Sequence, residues 1–532
     1  MHRTALLSIT LASAFVAEPL AAQEVQWLTA SPASWLQNPT TPVDVLCARD
    51  PDHVYVARLD SISYTYNQPM GSVTLSRQAA DGSVLWSVDL GDTVQVESIA
   101  SDEDGNVVLG GRYFRRLLED GVPVLTVPEG HVSEGSFVCA WDANGASLWH
   151  QDVSGSPFDD LQVSSIALDE QGRFWVALND FFNATIARLD ANGAQVESRT
   201  LVDSKTIGSI SFDPWGGLYV SGAAVSPDIT VNGTQFSIPH DYALFVTRMN
   251  AAGEAQWVRS AEDITFQKPM VQADQGGHAY LAGSYFVPLT WGSIPFADPL
   301  WSTGTFITRL DSLGNFDWGL SPSYAPGSGL FTLGRGKALG VDGEGNAYVL
   351  GNQGGALDWG NNVVTGSGTI SDNSTVLLSF DATGLPRWGL QGGSTFTDIM
   401  YDVAVASDGV AHLVGITSDP FTLGPFTVDP INERGTVVAR VDPEMSTGLS
   451  GMAVGVWDAI AQPSVFTHGF RLVDPSMANA PNTSVLVMDA TGRVVERANG
   501  LGEELGRRLA PGTYTVIARA GARVLRTRVV KQ

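Results

Sequence analysis

The sequence has little cysteine, little charge and no long apolar run. Its 532 residues include 2 cysteines, Cys47 and Cys139, and 16% of them are charged. Exported proteins that depend on disulfides usually carry more cysteines, and both of these lie in apolar, strand-like segments. We therefore expect two buried, unpaired thiols that act as small apolar side chains. Neither has a histidine in its local motif, which argues against a catalytic thiol.

Motifs for catalysis and for cofactor binding are missing as well. The sequence has no Gly-x-Ser-x-Gly elbow, phosphate-binding loop or His-Glu-x-x-His pair, and its histidines are scattered without metal-ligand spacing. We predict no catalytic residue, no cofactor and no metal site from motifs. Asp102–Asn106 is rich in acidic residues but lacks the bidentate glutamate of a calcium loop, so turn chemistry explains it better, and structural Ca²⁺ stays a minor alternative.

Positive charge is scarce outside the C-terminal end. The chain has 56 Asp and Glu against 30 Lys and Arg, a net charge of -26, and 57 glycines. Residues 457–532 reverse the balance, with ten Arg and Lys against six Asp and Glu. The acidic part repels nucleic-acid phosphates, so we predict no nucleic-acid partner. Few charges and many glycines are typical of an all-β chain with tight turns.

The N-terminus has the three parts of a secretory signal peptide. Met1–Arg3 is basic, Ala5–Ala17 is apolar, and small residues end at Ala22, just before Gln23. We predict a signal peptide over residues 1–22, cleavage between Ala22 and Gln23, and a protein that is secreted or displayed on the outer cell surface. The apolar part is too short to span a bilayer, and no later run approaches about 20 apolar residues, so we expect no transmembrane segment.

Two hairpin patterns alternate along residues 23–456. The first reads Asp-x-x-Gly-Asn-x-Tyr-Val-x-Gly or a close variant, and the second is an apolar strand, an Asp-x-x-Gly turn and then Trp. Asp and Asn accept local backbone hydrogen bonds, and Gly adopts the positive φ that closes a tight hairpin. Two hairpins make a four-stranded antiparallel blade, and about seven repeats of roughly 50 to 70 residues predict a seven-bladed β-propeller.

Two residue types recur at fixed places in these repeats. We expect the recurring aromatic residues to pack between neighbouring blades, with His412 as a satisfied core histidine. We expect the recurring arginines to be the solvent-facing residues of a half-buried strand. The aromatic positions are Tyr55, Trp175, Tyr219, Tyr280 and Tyr348, with His412 at the equivalent place. The recurring arginines are Arg77, Arg188, Arg248, Arg309 and Arg440.

The last repeat lacks a fourth strand of its own. No Trp-bearing strand follows Val437–Asp442, whereas Glu24–Leu28, just after the predicted cleavage site, resembles fourth strands such as Ala255–Val258. An unpaired sheet edge invites aggregation. We therefore predict that the N-terminal segment pairs into the last blade and closes the ring.

The alternating hairpins resemble the propeller repeats of secreted Bacteroidetes proteins, over roughly Pro42–Val456. The segments Leu289–Gly292 and Leu357–Gly360 match the connecting piece of that repeat. The resemblance implies a fold and says little about function. The Trp-bearing turns are also similar to the docking repeats of quinoprotein dehydrogenases, but that family implies a vicinal disulfide beside its cofactor, and the sequence has no Cys-Cys pair.

From residue 457 to 532 the repeat gives way to short strands, a pattern that predicts a small C-terminal β-sandwich. Three motifs in order resemble the type A C-terminal sorting domain of type IX secretion substrates, although the usual Pro-Asn-Pro opening is missing. The resemblance implies that the type IX machinery carries the chain across the outer membrane, removes this domain, and leaves the protein attached or released. The residues that carry it are Gly492, Arg493, Pro511, Gly512, Tyr514 and Lys531.

Two functions stay open from the sequence. The blade-connecting loops differ strongly in length, and variable loops on a rigid scaffold are where ligand contacts usually lie. We therefore favour a binding or adhesion module for a glycan or protein ligand. The alternative is an extracellular hydrolase or lyase that acts on polysaccharides through carboxylates in the central funnel.

Overall fold

The computed structural model describes 23–32, 34–35, 46–49, 53–65, 68–91, 93–130, 134–155, 161–180, 182–263, 268–297, 299, 303–322, 329–361, 363–366, 374–395, 398–417, 419–429, 435–443, 457–458, 460–462, 465–473, 484–488, 494–498, 504–520 and 523–531. Contacts divide the chain into an N-terminal body, Met1–Glu444, and a C-terminal body, Met445–Gln532. The predicted signal peptide, with Ala22, lies outside the described residues. Gln23 opens the first described strand.

The fold is all-β and propeller-like, and no helix that could span a membrane occurs in the described part of the chain. The strands of the N-terminal body are β1 (Gln23–Pro32), β2 (Ser34–Trp35), β3 (Leu46–Arg49), β4 (Val54–Thr65), β5 (Gln68–Gln78), β6 (Val84–Asp89), β7 (Val94–Ser101), β8 (Val107–Phe114), β9 (Arg116–Glu119), β10 (Val122–Thr126), β11 (Glu134–Trp141), β12 (Ser147–Asp152), β13 (Gln162–Leu168), β14 (Phe174–Asn179), β15 (Ala184–Leu189), β16 (Gln195–Val202), β17 (Ser204–Phe212), β18 (Leu218–Ala224), β19 (Asp228–Val231), β20 (Thr234–Ser237), β21 (Ala243–Met249), β22 (Ala255–Glu262), β23 (Met270–Ala273), β24 (Ala279–Tyr285), β25 (Leu289–Trp291), β26 (Ile294–Phe296), β27 (Gly304–Leu310), β28 (Phe316–Leu320), β29 (Gly329–Leu333), β30 (Leu339–Val341), β31 (Ala347–Gly355), β32 (Leu357–Gly360), β33 (Val363–Thr365), β34 (Ser374–Phe380), β35 (Pro386–Gly393), β36 (Ile399–Val405), β37 (Ala411–Thr417), β38 (Phe421–Leu423), β39 (Phe426–Val428) and β40 (Gly435–Pro443).

Four-stranded antiparallel units recur through the N-terminal body. In one of them β17 pairs with β18, β18 with β21, and β21 with β22. The second strands β18, β31 and β37 are buried along their whole length, whereas fourth strands such as β6 and β12 are partly exposed, so the core lies around the middle of each unit. In chain order the units are β3-β4-β5-β6, β7-β8-β11-β12, β13-β14-β15-β16, β17-β18-β21-β22, β23-β24-β27-β28, β29/β30-β31-β34-β35 and β36-β37-β40-β1.

The N-terminal strand completes the last of these units. β1 pairs antiparallel with β40, with Val25 opposite Val441 and Leu28 opposite Ala439, so the pairing predicted from the sequence is present. The first strands of the units also contact each other in order, from β3 through β7, β13, β17, β23 and β30 to β36, and β36 contacts β3 again. The units therefore follow one another around a ring of first strands.

Turn chemistry shapes the first hairpin of the fourth unit as expected. Asp213 Oδ1 accepts hydrogen bonds from the backbone N–H groups of Trp215 and Gly217 at 3.0 and 2.8 Å, and Gly216 has a φ of 79°. The carboxylate holds the turn, and the glycine takes a left-handed conformation that other residues rarely adopt.

Three of the recurring tyrosines join their unit to the next, as predicted. Trp175 and Tyr348 donate instead to the aspartate of their own first turn. The Tyr219 hydroxyl donates to the carbonyl of Gly277 at 2.7 Å, and that of Tyr280 donates to the carbonyl of Gly345 at 2.5 Å. Both acceptors lie in the first turn of the following unit. His412 is 3% exposed, and its ring centre is 5.7 Å from that of Trp27, so it is a core residue at the same place.

The recurring arginines are not solvent-facing, and that expectation was wrong. The Arg248 and Arg309 side chains are 16% and 15% exposed. Their guanidinium carbons lie 5.4 and 5.7 Å from the ring centres of Tyr219 and Tyr280. The face of an aromatic ring attracts a cation, which stabilises both arginines at these positions. Arg309 also donates to the Ala382 carbonyl of the next unit at 2.9 Å. Packing between units, which strand alternation does not encode, buries these side chains.

Fourth-strand tryptophans make a second bond between units. The indole N–H groups of Trp86, Trp257 and Trp318 donate at 3.0 to 3.1 Å to carbonyls in the second turn of the following unit. Trp27 on β1 makes the equivalent bond, at 2.7 Å, to the carbonyl of Ala80 in the first unit. The strand from the N-terminus thus takes part in the same linkage as every regular fourth strand named here.

The two cysteines differ in how far the structure describes them. Cys139, on β11, is free and buried, and this burial raises the pKa of its thiol well above the usual range. It packs with apolar neighbours in the core, as expected. The side chain of Cys47 lies outside the described residues.

The C-terminal body contains one larger and one smaller sheet. The strands of this body are β41 (Trp457–Asp458), β42 (Ile460–Gln462), β43 (Val465–Phe466), β44 (Arg471–Val473), β45 (Ser484–Met488), β46 (Val494–Ala498), β47 (Gly512–Ala520) and β48 (Arg523–Lys531). The larger sheet has the order β41-β48-β47-β45-β46, with β43 also pairing with β48, and β42 pairs with β44 in the smaller sheet. Phe466, Phe470, Val487 and Val516 belong to the core of this body.

Candidate functional site

The two ends of the units differ in their connections. Because the four strands of a unit run antiparallel, the tight turns lie at one end, and the longer connections lie at the other. Some of these connections form hairpins of their own, such as β19–β20, which extends the preceding sheet by pairing with β16. We call the two ends the turn end and the loop end. Variable connections on a rigid scaffold make the loop end the better candidate for ligand contacts.

A cavity of about 680 Å³ opens at the loop end and is lined by residues of the second, third and fourth units and by Lys268 at the start of the fifth. Its lining is polar and of mixed charge, with amide and hydroxyl side chains around a few ionic groups and an exposed aromatic ring. The ionic groups and the ring are those of Glu97, Arg112, Asp180, Phe182, Lys205 and Lys268. We call this space the loop-end cavity.

Glu97 and Arg112 form one wall of the loop-end cavity. Arg112 Nη2 donates to Gln95 Oε1 at 2.8 Å and lies 3.5 Å from Glu97 Oε1. The Glu97 side chain is 20% exposed, and its burial raises the pKa of the carboxyl group, against the opposing effect of the positive charges of Arg112 and Lys268. Glu97 therefore holds a proton more readily than an exposed glutamate does.

Asp180 has a structural role at the rim. Its Oδ1 accepts hydrogen bonds from the backbone N–H groups of Phe182 and Asn183 at 2.6 and 2.5 Å, and its Oδ2 accepts one from Asn183 Nδ2 at 3.0 Å. Burial acts to raise the pKa of Asp180, but these hydrogen bonds outweigh it and lower the pKa. The ionised carboxylate thus fixes a turn that presents Phe182.

Phe182 and Lys205 face each other across this turn. The Phe182 side chain is 52% exposed, which is unusual for so large an apolar group, and Lys205 Nζ lies 5.9 Å from its ring centre. Lys205 lies near the start of β17, and Lys268 comes just before β23. Each of these two lysines therefore stands where a first strand enters its unit from the loop end.

Two other cavities lie along the ring. A space of about 250 Å³, lined largely by apolar first-strand residues and by Lys337, runs between the units. At the turn end a space of about 700 Å³ is lined by aspartate and glutamate side chains, among them Asp169, Asp213 and Asp274. These aspartates are bound to their own turns, as Asp274 Oδ1 is to the N–H groups of Gly276 and His278. Among the described residues no group of His, Cys, Asp and Glu could hold a metal ion.

The predicted sorting residues fall into two groups. Gly492 and Arg493 lie outside the described residues, and Pro511 and Gly512 are exposed at the start of β47. The Tyr514 hydroxyl donates to the Ala510 carbonyl at 2.7 Å.

Lys531 lies beside the same loop. Its Nζ donates to the carbonyls of Gly506 and Arg507 at 2.7 and 2.9 Å and lies 5.8 Å from the Phe466 ring centre. Tyr514 and Lys531 thus hold the loop before β47 against the larger sheet.

The residues of the loop-end cavity belong to no motif found in the sequence. One signal for them was available in the composition. The lysines of the chain are Lys205, Lys268, Lys337 and Lys531, and two of the three in the acidic N-terminal body line this cavity. The spacing of the hairpins predicts units, but it does not tell which side chains of different units meet.

Comparison with known proteins finds likeness at the level of fold. No family model and no curated protein matches the chain. Solved structures that match include virginiamycin B lyase from Staphylococcus aureus, at 10% identity and a TM-score of 0.36, covering 78% of this chain and 99% of that one. The polysaccharide lyase Uly1 matches at 9% identity and a TM-score of 0.38, covering 79% of this chain and 98% of that one.

A third match is PorZ, described as an essential surface component of the type IX secretion system of Porphyromonas gingivalis. It shares 11% identity with this chain at a TM-score of 0.20, and the match covers 95% of this chain and 100% of PorZ. The structural neighbours thus include propeller-like proteins with different activities. Values this low transfer no activity, so the functional argument rests on the residues of this chain.

Proposed function

We propose that this chain is an exported, surface-displayed binding module. In this proposal residues 23–456 form a seven-bladed β-propeller that binds a glycan or protein ligand, and residues 457–532 form a C-terminal sorting β-sandwich. Support for the propeller comes from the recurring four-stranded units, from the ring of contacts between their first strands, and from the pairing of β1 with β40.

The loop-end cavity is the observation that carries the binding function. Its volume of about 680 Å³ falls within the range of roughly 300 to 1,000 Å³ typical of small-molecule sites. It is lined by side chains from four units, so the scaffold of packed units holds its shape. An exposed aromatic ring beside amides and a few ionic groups is suited to orienting a ligand.

Arrays of glycans and proteins probed with the chain from Gln23 onward test the binding function. We expect specific binders, and we expect Phe182→Ala to weaken their binding while leaving the thermal unfolding midpoint close to that of the parent. Trp215→Ala is the matched control, because Trp215 is a 63% exposed aromatic residue at the turn end. Binding that survives Phe182→Ala unchanged places the site elsewhere, and an array without binders contradicts the proposal.

Export by the type IX system is the second part of the proposal. It rests on the signal-peptide pattern of residues 1–22, with cleavage between Ala22 and Gln23, and on the sorting motifs near the C-terminus. A reporter fused to residues 457–532 should reach the surface or medium of a host with that system. A fusion that lacks residues 523–532 is the control. A full fusion that stays in the periplasm contradicts this part of the proposal and leaves the binding function untouched.

A polysaccharide-acting enzyme is the second candidate function, and Glu97 is the observation that favours it. A buried carboxyl group with a raised pKa is suited to general acid or base catalysis. If the cavity is catalytic, a screen on polysaccharides detects turnover that Glu97→Gln abolishes and Glu129→Gln, at an exposed position, preserves. A polysaccharide that binds without being turned over favours the binding module over the enzyme.

A further inference from the structure

The N-terminal body has few lysines, and two of them line one cavity. With residues 457–532 removed from the count, the remaining chain carries a net charge of -30, and its lysines are Lys205, Lys268 and Lys337. Lys205 and Lys268 line the loop-end cavity, where the first strands β17 and β23 begin. Lys337 lines the separate, largely apolar space along the first strands.

These lysines alter the local charge in an acidic molecule. Positive side chains in a concave site raise the local electrostatic potential and with it the local concentration of anionic ligands. Among the described residues of the lining, the negative groups are Glu97 and Asp180. Asp180 is occupied by backbone and side-chain N–H groups, and Glu97 lies beside Arg112. The two lysines therefore add positive charge to a wall whose carboxylates already have partners.

The rest of the lining indicates the kind of molecule that carries the negative charge. Amide and hydroxyl side chains form the largest group, from Gln95, Gln162, Ser164, Asn179, Asn183 and Thr206. Apolar surface comes from Val163 and from the Phe182 ring, which is 52% exposed. A protein partner would need apolar anchor pockets at the centre of its interface, whereas a saccharide offers many hydroxyl groups to such a lining.

We propose that the loop-end cavity binds an acidic saccharide, whose carboxylate or sulfate groups are recognised by Lys205 and Lys268. This inference rests on the binding function proposed above. Arg112 adds a donor group that Gln95 holds in position, and Phe182 provides a flat apolar surface for a sugar ring. The volume of the cavity fits a ligand of a few sugar units and is larger than a single anion needs.

Calorimetry with four probes tests the proposal on the chain from Gln23 to Gln532. The probes are an oligogalacturonate, its methyl ester, a sulfated carrageenan oligosaccharide and a neutral cello-oligosaccharide of equal length. We expect one or both acidic probes to bind and the neutral probes to bind at least about tenfold more weakly, because the neutral probes cannot form charge-assisted hydrogen bonds with the lysines. Binding of the oligogalacturonate indicates recognition of carboxylates, and binding of the carrageenan oligosaccharide indicates recognition of sulfates.

The double variant Lys205→Gln/Lys268→Gln should lose at least about tenfold in affinity. Arg116→Gln/Arg335→Gln is the matched control, since it removes two positive charges from exposed side chains that do not line the cavity. Circular dichroism and the thermal midpoint establish that both variants fold. An acidic probe that binds both double variants with parental affinity contradicts the assignment of the lysines.

The remaining outcomes separate this inference from the binding function. Equal affinity for the oligogalacturonate and its ester, or binding of the neutral probe alone, contradicts acidic recognition and leaves a binding module. Polyglutamate is tested beside the four saccharide probes. If it binds more tightly than every saccharide, the assignment of a saccharide ligand is wrong and an acidic protein partner is favoured. Absence of binding by any saccharide or protein contradicts the inference and the proposed function together.

Discussion

At the scale of single residues, the same side-chain chemistry serves two different purposes in this protein. Aspartates of the turn end, such as Asp213, accept backbone N–H groups and hold hairpins closed. Glu97 at the loop end lies beside Arg112 in a cavity, and burial raises its pKa. The environment of Glu97 therefore differs from that of the turn carboxylates, and the acidic composition alone does not show this difference.

Glu97→Gln should stabilise the protein increasingly as the pH rises. The pKa of Glu97 is raised by folding, so the fold favours its protonated form, and the cost of holding the carboxylate is absent below the unfolded-state pKa and complete above the folded-state pKa. Glutamine carries no such cost. Urea unfolding of the variant and the parent between about pH 4 and pH 8 measures the difference, with Glu129→Gln as control. A difference that stays constant with pH contradicts the account.

At the scale of elements, the N-terminal strand behaves as a regular fourth strand supplied from a distance. Val25 and Leu28 are buried, and Trp27 bonds to the turn of the first unit as the other fourth-strand tryptophans do. The strand therefore joins two neighbouring units at once, by pairing with β40 and by contacting the second turn of the first unit.

Trp27→Ala should destabilise the protein by about 3 to 5 kcal/mol, the usual cost of truncating a buried tryptophan. The indole is 8% exposed and packs against His412. Chemical unfolding checks the prediction, and Trp215→Ala, at a 63% exposed position, should cost far less. Equal costs for the two variants would show that the strand is not a structural part of the last unit.

The hairpin repeat predicted the elements well and the site poorly. Glu24–Leu28 was recognised as a fourth strand because its residues repeat a local pattern found elsewhere in the chain. The arginines were misjudged because Arg309 stacks on Tyr280 and reaches a carbonyl of another unit. The loop-end cavity was missed for the same reason. Its lining comes from four units, and no local pattern in the sequence shows which of their side chains meet.

At the scale of the whole molecule, charge is distributed unevenly. The net charge of -26 destabilises a compact state through self-repulsion, and salt screens it. We expect the thermal midpoint of the chain from Gln23 onward to rise as sodium chloride is raised from about 20 to about 300 mM. Scanning calorimetry checks this, and a midpoint that falls would mean that the ion pairs outweigh the repulsion.

The pairing of Gln23 with Pro443 has a consequence for folding kinetics. Contacts between residues so far apart in the chain are slow to form, because the chain loses the entropy of loop closure before the new contacts lower its free energy. A chain synthesised from its N-terminus must keep β1 unpaired until β40 emerges. We expect closure of the last unit to be the slowest folding phase, and a chain halted before β40 to expose an edge that binds chaperones.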